Sequence, residues 1–133
     1  MKPSPELYDL ALVAMATALM WIPYVLAMIW RAGLWKTMGN RDHALPGLPL
    51  WAQRARRAHA NAVENLAVFA PLLLVAASTG LASPLVRTAA STYLVARLVH
   101  YVVYAAGVPV VRTLAFFAGW GATLAVAMAL LMS

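Results

Sequence analysis

Arginine, asparagine and glutamate recur at helical spacing just before the midpoint of this 133-residue chain. At about 100° per residue, Arg54, Arg57, Asn61 and Glu64 fall within about 80° of one another on a helix, with Asn65 on the adjoining edge. A second set stands downstream: Tyr93, Arg97, His100 and Tyr104 are spaced i, i+4, i+7 and i+11 and share a face about 60° wide. Arg112 and Thr113 follow. A guanidinium grips a carboxylate through paired N–H donors, and a carboxylate takes an ammonium. These residue types therefore suit a small zwitterion carrying carboxylates and an amine. If that molecule also carries a thiol, a guanidinium beside the sulfur stabilises the thiolate and pulls an ordinary pKa of about 8.5 towards neutrality.

Other chemistries fail for want of residues. The chain has no cysteine, which excludes a disulfide, a thiolate metal site and a cysteine nucleophile. Its three histidines, His43, His59 and His100, are far apart, and Glu64 is the lone acid within the later apolar stretches, so a metal site is not expected. No serine and second acid share the polar faces as a hydrolytic triad requires, and phosphate-binding and dinucleotide glycine patterns are absent. What remains is an anion pocket with one carboxylate. Glutathione, as a co-substrate, meets each of its requirements.

The elements that must position these residues are membrane helices. The chain is 64% hydrophobic and only 11% charged, with a mean hydropathy of +0.77, well outside the balance of a soluble domain. A span needs about 20 mostly apolar residues, and four stretches supply them, at roughly 7–30, 58–79, 85–106 and 110–132. The expected fold is all-α, an integral membrane four-helix bundle in one domain over 1–133, with helices at about 7–30, 51–79, 85–106 and 110–132. The first is read as a retained helix rather than a signal peptide. It lacks a basic leader and a small-residue cleavage pattern before Arg31, and Pro23 is expected to kink it. Loop 1 holds Gly33, Gly39, Asn40, Pro46, Gly47 and Pro49 and is read as one long connection. Gly80 stops the second helix, Ser83-Pro84 starts the third, and Gly107 with Pro109 separates the third from the fourth, making those two antiparallel neighbours.

A formal net charge of +6 would suggest nucleic acid in a soluble protein, but here it reads as topology and no nucleic-acid partner is expected. Arg31, Lys36, Arg41, Arg54, Arg56 and Arg57 lie in or beside loop 1 against the single acid Asp42, whereas the second loop carries only Arg87. The positive-inside rule then places loop 1 and the last short connection in the cytoplasm and both termini outside. Trp30, Trp35 and Trp51 cluster at the same level, where amphipathic rings favour the headgroups. Arg54 and Arg56 read as anchors that snorkel to lipid phosphates, and His43 as a solvated loop residue.

The run Arg57-Ala-His-Ala-Asn61-Ala-Val-Glu64 resembles the helix 2 signature of the MAPEG family, the membrane-associated proteins of eicosanoid and glutathione metabolism. Arg97-x-x-His100-x-x-x-Tyr104 followed by Arg112 is similar to its later motif. The resemblance covers essentially the whole chain and is nearest to the small bacterial branch, which implies a multi-pass protein of the bacterial inner membrane. It further implies a homotrimer of four-helix subunits with glutathione bound between neighbours near the cytoplasmic end. Carried over, Arg57, Asn61, Glu64 and Tyr104 would hold glutathione, Glu64 near its amine. His59 and His100 would occupy positions of polar contacts beside Arg97, and Arg112 would stand by the thiol with Thr113 in place of a serine. Two departures stand out: Ala60 where the prostaglandin E synthase branch has a second arginine, and Phe116 in place of a tyrosine.

The function these residues imply is a glutathione-dependent membrane transferase or peroxidase, similar to the microsomal glutathione S-transferases, acting on a lipophilic small-molecule electrophile that arrives through the membrane lipids. Phe116, Phe117 and Trp120 would receive it. One alternative is a non-catalytic relative that binds a lipid or a partner protein, against which Glu64 and Arg112 argue. The other is a small transport protein using the polar faces as a pathway, for which one intramembrane acid is thin provision.

Overall fold

Pro5–Leu19 (α1), Trp21–Ala32 (α2), Leu34–Met38 (α3), Leu50–Ser78 (α4), Pro84–Ala106 (α5) and Pro109–Leu131 (α6) are the helices among the described residues of the computed structural model, 1–40 and 47–133. The expectations for Arg41, Asp42, His43 and Pro46 lie outside the described residues. No strand occurs among the described residues.

The expected first helix is two helices. It breaks at Met20, three residues before Pro23, because a proline ring collides with the carbonyl four residues back and supplies no N–H to bond it. A break at membrane depth needs cover from a neighbour, and the Tyr101 hydroxyl of α5 donates to the Met20 carbonyl at 2.8 Å. Loop 1 also holds more structure than its breakers suggest. Gly33, at φ +84°, ends α2 and lets α3 begin one residue later, since glycine alone adopts positive φ without steric cost.

The other boundaries follow local chemistry. The Ser83 side chain accepts from the Val86 N–H at 3.2 Å with Pro84 in the first turn, a helix start that satisfies otherwise orphaned donors. Gly107, at φ +82°, closes α5, and the N–H groups of Gly107 and Val108 fold back on the carbonyls of Tyr104 and Val103. Pro109 then opens α6. The connection is so short that α5 and α6 pack side by side along their length.

Taken as one segment, Pro5–Ala32, together with Leu50–Ser78 and Pro109–Leu131, is long and apolar enough to cross a membrane. α5 has the same 23 residues as α6 but is more polar, carrying Arg87, Arg97 and His100. It is the central helix, packed against α1, α4 and α6. The core is apolar and centred on a stacked Phe69–Tyr93 pair, with ring centroids 3.8 Å apart and planes within 4°, backed by Val13, Leu73, Val86 and Val126. Towards the loop 1 end the buried face of α4 thins to Ala52, Ala55, Ala58 and Ala62. Small residues bring helix backbones close and leave the polar side chains on the flanks. α4 is 29 residues long, so its first turns extend past the ~20 residues a bilayer core needs.

Candidate functional site

His100, Tyr104, Arg112, Thr113, Phe116 and Phe117 line one cleft of about 330 Å³ where the end of α5 meets the start of α6. The turn at Gly107–Val108 sets this register, and Pro109 puts Arg112 and Thr113 in the first turn of α6, with the Thr113 hydroxyl donating to the Pro109 carbonyl at 3.0 Å. The half-buried Arg112 guanidinium lies 4.6 Å from the Tyr104 ring centroid, held by the ring's negative face. His100, buried, meets Tyr104 edge-on at 5.5 Å between centroids. On the far wall Phe116, Phe117 and Trp120 form a chain of edge contacts at 5.7 and 6.1 Å. One rim thus offers a fixed cation and a hydroxyl, the other an aromatic apolar surface.

The polar stripe of α4 divides. Ala55, Ala58, Ala62 and Phe69 mark the buried face, and the helical period sets Arg57 and Glu64 nearly opposite it. Both are exposed on the outer side of the chain, whereas Asn61 and Asn65, at the edge, are half-buried. Arg97 of α5 reaches across, its Nη1 donating to Asn61 Oδ1 at 2.8 Å. Asn65 Nδ2 donates to the Asn61 carbonyl at 2.8 Å. Arg57 instead lines a second cleft of about 340 Å³ with Leu48, Gln53, Arg56 and Ala60, whose wall is fixed by Gln53 Nε2 donating to the Leu48 carbonyl at 2.8 Å.

The nine residues singled out in the sequence therefore do not share one pocket of a single chain. His100, Tyr104, Arg112 and Thr113 come together; Arg57 sits in the second cleft; Asn61 and Arg97 form a link between α4 and α5; and Glu64 faces outward. His59 turns towards α2, where its Nδ1 and the Tyr24 hydroxyl are 2.7 Å apart. Tyr24 was not singled out. Its signal is its place directly after Pro23, inside the kink that aims it at α4.

Arg54 also differs from the anchor it reads as in the sequence. It is half-buried, and its guanidinium lies so close over Gly107 that a Cβ there would overlap it. A cation at the carboxyl end of α5 meets the negative end of the helix dipole. Arg54 thus ties α4 to the α5–α6 turn and fixes the height of the cleft beside it. Arg56 is exposed.

Comparison with known proteins identifies the family. The chain is 38% identical over 82 residues to microsomal glutathione S-transferase 1 of Bos taurus, an alignment covering 61% of this chain and 53% of the relative. The chain thus spans about half the length of the curated relative it matches. No solved structure matches it. The model of the MAPEG family matches residues 9–132, a stretch that takes in both clefts, the Arg97–Asn61 link and nearly every turn of the membrane helices, and the chain accordingly belongs to the MAPEG family.

Proposed function

We propose that the protein is a glutathione-dependent membrane transferase, able also to act as a peroxidase, whose acceptor is a lipophilic electrophile dissolved in the bilayer. The observation that carries this is the α5–α6 cleft, where Arg112, Tyr104 and Thr113 face an aromatic wall across about 330 Å³. Arg112 stabilises the thiolate of bound glutathione, and Thr113 offers it a hydroxyl that turns from the Pro109 carbonyl to do so. The sulfur attacks an electrophilic carbon held against Phe116 and Phe117, the carbon–sulfur bond forms, and the leaving group departs with its electron pair. With a hydroperoxide the same thiolate attacks the terminal oxygen. That releases an alcohol after protonation and leaves a sulfenic acid, which a second glutathione converts to the disulfide.

The carboxylates and amine of glutathione fall to α4. Arg56 and Arg57 flank the small Ala60 in the second cleft, so two guanidiniums are at hand although Ala60 itself brings none. Glu64 takes the ammonium. If the last ~20 residues of α4 cross the hydrocarbon, Glu64 lies about 8 Å inside its edge on the exposed side of the chain. A carboxylate aimed at lipid costs roughly 3 kcal/mol at the bilayer centre and less at this depth, and that cost favours cover by a second copy. In the homotrimer we infer, the outward face of α4 from one subunit meets the α5–α6 cleft of its neighbour, and one glutathione lies between them at the cytoplasmic side of a bacterial inner membrane.

Titration calorimetry with glutathione in detergent tests the reading. Saturable binding, together with conjugation of an apolar halogenated aromatic, is expected. Absence of saturable binding would return the chain to the non-catalytic, lipid- or protein-binding alternative.

A further inference from the structure

Arg97 is 1% exposed and among the largest fully buried side chains of the described residues, and none of the described carboxylates is bonded to it. Of its donors, Nη1 is used by Asn61 Oδ1, while Nε and Nη2 have no hydrogen-bond partner among the described residues. The guanidinium rests between the rings of Tyr93 and Phe116, at 5.6 and 5.7 Å from their centroids. On its remaining side is Gly119 of α6, where an added Cβ would lie 3.1 Å from Nε and 3.2 Å from Nη2. A buried cation is costly unless it is closely paired, so this one is retained at a price that packing alone does not explain.

Its effect on Asn61 supplies the explanation. An arginine has donors and no acceptor, so whatever Asn61 turns towards Arg97 must be its oxygen. Oδ1 is taken twice, by Arg97 Nη1 at 2.8 Å and by Asn65 Nδ2 at 3.3 Å. The network, rather than the heavy-atom positions, assigns the amide orientation, and it leaves Nδ2 as the half of Asn61 available to anything else on the α4 flank. Glu64, three residues on, offers only acceptors when ionised.

We propose that Arg97, wedged against Gly119, is a positioning residue that locks the Asn61 amide with its NH₂ as an obligatory donor to a carboxylate or carbonyl oxygen of the bound ligand. Asn61 and Glu64 then form a donor–acceptor pair of fixed polarity, matched to one end of an amino-acid-like ligand. This rests on the glutathione reading for the ligand's identity but not for the lock itself.

Four variants test it, with glutathione as the probe and melting temperature as the second readout. Asn61→Asp keeps an acceptor for Arg97 and removes the N–H donors. It is expected to melt at or above the wild-type temperature yet bind glutathione at least about tenfold more weakly. Gly119→Ala touches no ligand but crowds the guanidinium, and is expected to lower both the affinity, by about threefold or more, and the melting temperature. Combining Gly119→Ala with Arg97→Met should remove most of the thermal penalty of the alanine. Wild-type affinity in Asn61→Asp, or a Gly119→Ala chain unchanged in both readouts, would overturn the proposal. Should the wild-type chain not bind glutathione, the glutathione reading fails alone, and melting still decides the lock: Asn61→Asp more stable than Asn61→Leu upholds it, and equal or lower stability overturns it.

Discussion

Arg112 and Glu64 carry opposite charges and, in the proposed reaction, different tasks, so their loss separates chemistry from binding. Arg112 sits over Tyr104 in the α5–α6 cleft, beside the place given to sulfur. Arg112→Ala is expected to keep glutathione binding within about tenfold, roughly 1.4 kcal/mol, while abolishing the ultraviolet absorbance of bound thiolate near neutral pH. A thiolate signal equal to that of the wild type would remove Arg112 from this role. Glu64→Gln keeps the shape and loses the charge that meets the ammonium. Calorimetry should show affinity lowered by about ten- to a hundredfold, as for a charge-assisted hydrogen bond worth roughly 1.5–3 kcal/mol, and unaltered affinity would make Glu64 structural. The cleft residues were legible in the sequence, because Tyr104, His100 and Arg112 are placed by an i, i+4 period and a glycine–proline turn. The partition of the α4 stripe was not. The period puts Arg57, Asn61 and Glu64 on one face, but which edge of that face is buried depends on where Ala58 and Ala62 find neighbours, a matter of tertiary packing. The spacing of Arg97 likewise says nothing of its burial or of its bond to Asn61, which packing decides.

At the level of elements, the α5–α6 turn fixes the height of the cleft, and two independent features converge on Gly107. Its φ of +82° lies in the left-handed region, where a side chain costs roughly 1–2 kcal/mol, and the Arg54 guanidinium fills the space a Cβ would take. Gly107→Ala is therefore expected to lower stability by about 2 kcal/mol in thermal melts. Adding Arg54→Ala should recover the steric part and leave the conformational part. A Gly107→Ala chain that melts like the wild type would mean that the turn does not set the cleft. The long helices themselves could be read from hydropathy and punctuation, and Ser83-Pro84, Gly107 and Pro109 fall at the ends they signal. The division of the first helix at Met20 and the single-turn-scale α3 could not. A proline tells that a helix is disturbed about a turn before it, whereas whether the helix bends or divides there depends on the neighbours packed against it, here Tyr101 donating to the Met20 carbonyl. Gly33 permits both a stop and a restart.

For the whole molecule, the charge pattern and the split of the site lead to separate expectations. The chain has no cysteine, so single-cysteine variants label cleanly. Lys36→Cys should react only from the cytoplasmic side and Ala82→Cys only from the opposite side, and the reverse result would invert the topology. The site's distribution calls for a subtler measurement, because Glu64 faces out from α4 while Arg112 lies in a cleft between α5 and α6 of the same chain. If glutathione lies between subunits, each site takes α4 from one chain and the cleft from its neighbour. Assayed at a glutathione concentration near the wild-type Kd, where each is far below wild-type activity alone, Glu64→Gln and Arg112→Ala chains then complement when co-expressed. With random assortment in a closed ring, about a quarter of the interfaces pair an intact α4 with an intact cleft, so conjugation should return to roughly that fraction of wild type. A site contained in one chain behaves differently: every chain carries one defect or the other, and mixing restores nothing. Co-purification of the two variants through different affinity tags confirms that mixed assemblies formed. Activity that stays at background in such assemblies would place the whole site within a single subunit and leave the outward Glu64 to be explained by lipid or water.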